Sequence, residues 1–106
     1  QCTSESNGTR GLWGGGQSSG TSYHNVIDYV TIATTGNATD FGDLTVGRNS
    51  HPAACSNGIR ITFAGGYHSS GTKNEIDYVT VATIGNATDF GDLTTAPDMG
   101  GACSGD

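Results

Sequence analysis

Few residues in this chain are equipped for chemistry, and their spacing narrows what each can do. Three imidazoles are present, His24, His51 and His68. His24 and His68 lie in related loops, Ser22-Tyr23-His24 and Gly66-Tyr67-His68, yet at different loop positions, and no second ligand recurs at fixed spacing. A metal centre built from repeated elements would align its ligands, so loop histidines without a metal are expected. Two carboxylates three residues apart occur twice, as Asp40/Asp43 and Asp89/Asp92. Calcium takes oxygen ligands and carboxylate pairs serve acid–base hydrolysis. These pairs lack the Asp-x-Asp-x-Asn-Gly order of calcium loops, however, and aspartate often bonds its own backbone in turns, so a structural turn role is expected. No Gly-x-Ser-x-Gly elbow, nucleotide-binding loop or cysteine–histidine couple appears, so neither a catalytic residue nor a cofactor is expected.

Cys2, Cys55 and Cys103 are spaced by 53 and 48 residues, and no Cys-x-x-Cys pair suggests zinc. They read either as small buried residues at equivalent places in successive units or as partners in a disulfide, with Cys2 of one chain meeting Cys103 of another. Asn7, Asn37 and Asn86 each open an Asn-x-Ser/Thr acceptor for N-glycosylation, all in expected turns. The variable loops 17–25 and 67–74 place Tyr23 and Tyr67 where a ring can stack on a sugar, which makes them candidate glycan contacts.

The elements that position these residues come in two copies. Residues 27–45 return as residues 76–94, differing only at Ile32/Val81 and Thr35/Ile84. A period near 49 residues belongs to repeat architectures, in which one unit buries its apolar faces only by stacking on another. The chain has 106 residues, 33% hydrophobic, with 18 glycines that follow no collagen-like period. Its net charge is −6, with Arg10, Arg48, Arg60 and Lys73 as the fixed cations, which argues against nucleic acid as a partner. No apolar run approaches the roughly 18 residues of a membrane span, so no membrane insertion is expected. The start at Gln1 rather than Met suggests a processed product or a segment of something longer.

Each repeat divides into four short strands. In the second these are a small-residue strand around Ala53-Ala54-Cys55, then 59–64 closed by Gly65-Gly66, 75–83, and 89–94. The first repeats the order near 1–4, 10–13, 26–34 and 40–45. Ile76, Tyr78 and Ala82 fall on one face of the third strand, and Val79 and Val81 on the other. Both faces are therefore partly apolar, as in a sheet held between neighbouring sheets; the alternative, a two-layer sandwich, calls for more polar outward faces. No window keeps a helical stripe.

The run His51-Pro52-Ala53-Ala54-Cys55-Ser56-Asn57-Gly58-Ile59-Arg60-Ile61-Thr62-Phe63-Ala64-Gly65-Gly66-Tyr67, followed by Asn74-Glu75-Ile76-Asp77-Tyr78 and then Phe90 and Leu93, resembles a kelch repeat. Phe41 and Phe90 stand where kelch units usually carry Trp. The resemblance implies an all-β chain of four-stranded antiparallel kelch-like β-propeller blades, two per chain: residues 1–52, residues 53–101, and the start of a third inner strand at 102–106. Some kelch propellers are copper oxidases, but their tyrosine–histidine ligand set with a cross-linked cysteine is not reproduced in this sequence. Near-identical Asn/Thr/Gly-rich units are also similar to repeat regions of large structural or surface proteins of aquatic bacteria and tailed phages.

A propeller closes with about four to eight blades, so two blades imply completion by other chains or by further repeats. The expected role is a non-enzymatic structural protein whose partner is itself, head to tail, in a fibre, virion appendage or surface assembly outside the cell. The alternative is a carbohydrate-binding or adhesion propeller using Tyr23 and Tyr67. Trp13 and Phe63, beside the glycine pairs, are both expected to pack between blades.

Overall fold

The computed structural model describes residues 3–20, 22–49, 53–69 and 71–96. Each repeat forms one open, four-stranded antiparallel sheet. The first is β1 (Thr3–Ser6), β2 (Arg10–Gly14), β3 (Val26–Thr31) and β4 (Thr39–Asp43), paired in that order. The second is β5 (Ala53–Ser56), β6 (Arg60–Ala64), β9 (Glu75–Thr80) and β10 (Thr88–Asp92), also paired in chain order. Between β6 and β9 the segment read as a variable loop folds as a two-stranded hairpin of β7 (Tyr67–His68) and β8 (Gly71–Thr72). The chain is all-β, and among the described residues no helix is long and apolar enough to cross a membrane.

Local chemistry explains the strand order. The β1–β2 and β5–β6 turns are fixed by Asn7 and Asn57, whose side-chain oxygens accept the backbone N–H groups two and three residues on at 2.9 and 2.8 Å in both copies. Gly8 and Gly58 follow with φ of 90° and 91°, where a side chain would strain the backbone. The third strands end earlier than expected, at Thr31 and Thr80, where turns bonded from Thr34 N–H to Thr31 and from Thr83 N–H to Thr80 lead the chain away.

Register sorts each sheet into two faces. Leu12 opposes Tyr29 and Gly14 opposes Ile27 on one face of the first sheet, while Gly11/Val30 and Trp13/Asp28 share the other. In the second sheet Ile61/Val79 and Phe63/Asp77 share one face, and Thr62/Tyr78 and Ala64/Ile76 the other. The sheets stack so that the Leu12 face of the first meets the Phe63 face of the second. Leu12, Ile27, Phe41, Leu44, Ile61, Phe63, Val79 and Val81 make one core between them. The fit is tight, since a Cβ added to Gly14 would lie 3.1 Å from the Phe63 ring. Phe63 is fully buried as expected, but Trp13, its counterpart, faces away from the second sheet and is 41% exposed. The alternation read along β9 holds, with Val79 and Val81 in the core and Ile76 and Tyr78 half-buried on the opposite face.

Candidate functional site

The seam between the sheets is assembled from an Arg–Tyr–Phe ladder on the first sheet. Arg10 lies 4.7 Å over the Tyr29 ring, and Tyr29 meets Phe41 edge-on with centroids 5.7 Å apart. A β-bulge sets the last contact. Gly42 pairs with Ile27 and Asp40 with Asp28, so Phe41 is the extra residue, and its ring turns onto the Tyr29 face. The Asp40/Asp43 pair lies in the expected fourth strand, where it flanks a bulge instead of capping a turn, and Asp89/Asp92 does the same in β10.

The second sheet grips this ladder at three places. Arg10 donates through Nη1 to the Val81 carbonyl at 2.8 Å. The segment 85–87 pairs with the outer edge of β4: Gly85 N–H donates to the Phe41 carbonyl at 2.9 Å, Ala87 N–H to the Asp43 carbonyl at 2.8 Å, and Asn86 Oδ1 accepts Asp43 N–H at 3.1 Å. Gly42, φ 153°, admits this approach, because a Cβ there would lie 2.2 Å from the Gly85 carbonyl oxygen. The third grip is the buried carboxylate of Asp77, which accepts Thr45 N–H at 3.0 Å, Thr45 Oγ1 at 2.7 Å and Arg48 Nη2 at 3.1 Å. Arg48 Nη2 also donates to the Phe63 carbonyl at 3.1 Å. Burial pulls the Arg48 guanidinium below its usual range, and the carboxylates of Asp77 and Glu75 oppose that pull.

The same ladder is built again on the outer face of the second sheet, where no strand of the described residues covers it. Arg60 lies 4.4 Å over Tyr78, and Tyr78 meets Phe90 edge-on at 5.9 Å. A bulge between Asp89 and Gly91 again turns out the phenylalanine. Phe41 is 1% exposed, whereas Phe90 is 56% exposed. The elements that grip the ladder are also present in the first repeat and unused: Ile32 is 54% exposed where Val81 is fully buried, and Gly36, Asn37 and Ala38 are exposed. Each sheet thus carries one gripping face and one gripped face, and the chain uses one of each.

The residues singled out from sequence fall elsewhere. Tyr23 and Tyr67 come together across the repeats, with ring centroids 6.0 Å apart, and His68 lies 5.0 Å from Tyr23. Asn49 exchanges backbone hydrogen bonds of 2.9 and 2.8 Å with Tyr67 and donates its side-chain amide to Gln17 Oε1, so it links the two loops, while Gln17 pairs with Tyr23 inside the first loop. His24 is exposed and distinct from this cluster, while His51 lies outside the described residues. Among the described residues no three His, Cys, Asp or Glu side chains converge as metal ligands. Asn7 closes a turn and donates its amide to the Gly58 carbonyl at 3.4 Å, whereas Asn37 and Asn86 sit at equivalent points of the gripping loops. Cys55 is a half-buried free thiol whose sulfur is 3.0 Å from Thr62 Oγ1. Register puts Glu5, not a cysteine, in its place in the first sheet, which overturns the expectation of cysteines at equivalent positions. Cys2 and Cys103, the expected disulfide partners, lie outside the described residues.

Sequence reasoning missed Arg48 and Asp77 as partners. A detectable signal was an arginine in the inter-repeat segment of a chain with four fixed cations. No protein-family model matches the chain, and no curated protein is similar to it.

Proposed function

We propose that this chain is a non-enzymatic structural repeat protein of kelch-like blades that assembles head to tail, as a fibre, virion appendage or surface layer outside the cell. The observation that carries the reading is the pair Phe41 and Phe90: the same bulged aromatic in the same ladder, 1% exposed where a following sheet covers it and 56% exposed where none does. A four-stranded antiparallel meander in each repeat suits a propeller blade, and face-to-face contact between the sheets suits neighbouring blades. Near-identity of the repeats also favours a building block, because a catalytic site normally breaks the symmetry of its scaffold. Whether heterologous contacts end in a ring or an open fibre depends on whether the rotation per unit closes.

A second reading is favoured by the Tyr23–Tyr67–His68 cluster, an arrangement suited to stacking on a sugar ring: a carbohydrate-binding or adhesion propeller. Electron microscopy of the assembled protein together with a glycan array separates the two. Ordered polymers without sugar binding support the structural role. Discrete rings that bind sugars through Tyr23 and Tyr67 support adhesion, and a compact monomer at every concentration overturns assembly in both.

A further inference from the structure

Resting on the head-to-tail reading, we infer that the seam between chains repeats the seam within the chain, with a second copy of this protein docking its first sheet on the outer face of the second. The gripping loop 36–38 of that copy covers the free edge of β10, and its Trp13, Val30 and Ile32 cover Tyr78, Ile76 and Phe90.

The inference follows from the internal seam residue by residue. Advancing each partner by one repeat turns the bond from Gly85 N–H to the Phe41 carbonyl into one from Gly36 of the second copy to Phe90. Ala87 to Asp43 becomes Ala38 to Asp92, and Asn86 Oδ1 on Asp43 N–H becomes Asn37 Oδ1 on Asp92 N–H. Arg10 on the Val81 carbonyl becomes Arg60 on the Ile32 carbonyl. All of these residue types are present. Of the two surfaces, Trp13, Ile32 and Phe90 are exposed and Val30, Ile76 and Tyr78 half-buried, and the β10 edge lies at the end of its sheet. Space for the incoming backbone is also preserved. A Cβ on Gly91 would meet nothing within 4 Å, although Gly91 keeps the φ of 153° that Gly42 adopts under the Gly85 carbonyl. An exposed, correctly shaped strand edge beside an apolar ladder is a template for another chain.

One part of the internal seam has no counterpart. Asp28 of the second copy meets Thr94, the equivalent of Thr45, but the sequence 94–98, Thr-Thr-Ala-Pro-Asp, supplies no arginine in place of Arg48. The seam between chains is accordingly weaker than the seam within one, and assembly is reversible and concentration-dependent.

Sedimentation velocity of the full chain from micromolar to millimolar concentration tests this, with folding checked by circular dichroism. Phe90→Glu blocks the gripped face and Ile32→Asp the gripping face. Both positions are exposed in the single chain, so each variant folds and self-associates at least about 100-fold more weakly than the wild type, as expected for loss of a central anchor. Mixed in equal amounts, the two variants restore one seam and stop at a dimer, because each keeps the face the other lacks. Ala38→Pro, which removes the N–H offered to Asp92, blocks the same side as Ile32→Asp and stands in for it if that variant misfolds. Wild-type polymers with unaffected variants, or a mixture that stays monomeric, overturn the inference and leave the head-to-tail reading intact. A wild type that melts cooperatively and stays monomeric at millimolar concentration overturns both.

Discussion

Asp28 and Asp77 sit in the same sequence, Ile-Asp-Tyr-Val, and their removal should have very different consequences. Asp77 is fully buried and accepts three hydrogen bonds, two from Thr45 and one from the buried guanidinium of Arg48. Asp77→Ala strands that guanidinium among apolar side chains. Breaking one partner of a buried pair costs about 3–5 kcal/mol, a large part of the roughly 5–15 kcal/mol that holds a small protein folded. With a urea slope of about 1–1.5 kcal/mol/M, the midpoint falls by about 2–5 M. Asp28 lies on the face turned away from the second sheet and is half-buried, so Asp28→Ala changes stability by no more than about 1 kcal/mol. The assay is urea denaturation followed by circular dichroism, at a concentration where the chain is monomeric. Arg48→Met/Asp77→Ala should recover most of the loss, since a buried charge without its partner costs more than an apolar pair. Equal losses for the two aspartates, or a double variant no more stable than Asp77→Ala, would refute the clasp as the tie between sheets.

Two further contrasts between equivalent positions follow from the same seam. Phe63→Ala should cost about 3–5 kcal/mol by dilute-solution denaturation, the range for a fully buried aromatic, against about 1 kcal/mol for the partly exposed Trp13→Ala; similar losses would mean that the first sheet's outer face is covered within the chain. Gly42→Ala and Gly91→Ala share the strain of a φ of 153°, but only at position 42 does the new methyl meet the 85–87 backbone. Losing that edge's three hydrogen bonds at about 0.5–1.5 kcal/mol each makes Gly42→Ala about 2–4 kcal/mol worse, and equal melting temperatures would exclude the close approach.

Local patterns made the strands legible, and long-range contacts decided the rest. Alternation in Ile59-Arg60-Ile61-Thr62-Phe63, the Asn-Gly turns and the glycine pairs report on the backbone within a few residues, and the four strands of each sheet followed from them, whereas the β7–β8 hairpin did not. Which face of a strand is covered depends on a neighbour about fifty residues away. The equivalent places of Trp13 and Phe63 were legible for that reason, but their unequal burial was not. The bulge at Phe41 left a faint mark in the glycine that follows it. Partnership between Arg48 and Asp77 left almost none, because nothing local requires a loop arginine to fold inward. Tyr23 and Tyr67 were legible as candidates from their loops, but their meeting required knowing that the sheets stack.

Near-identity of residues 27–45 with 76–94 needs no more than duplication to explain it, so the shared Phe, Gly and Asn of the seams are not by themselves an argument for a second seam. The positions that differ are more telling. On the gripping faces Ile61 and Phe63 stand where the first repeat has Gly11 and Trp13, and on the gripped faces Leu12 and Gly14 stand where the second has Thr62 and Ala64. Within the chain Leu12 and Ile61 share the core, and the Phe63 ring lies over Gly14. Advanced by one repeat, Thr62 meets the space over Gly11, and Trp13 meets Ala64. The Trp13 ring leans back toward Gly11, where an added Cβ would be 3.3 Å away, and so fills part of the volume that Ile61 occupies in the second sheet. The larger ring returns part of the volume that Gly11 gives up, while Thr62 stays smaller than the Leu12 it replaces. Partial compensation of that kind suits a packed interface, and the smaller side chains of the second pairing agree with a seam between chains that is weaker than the one within.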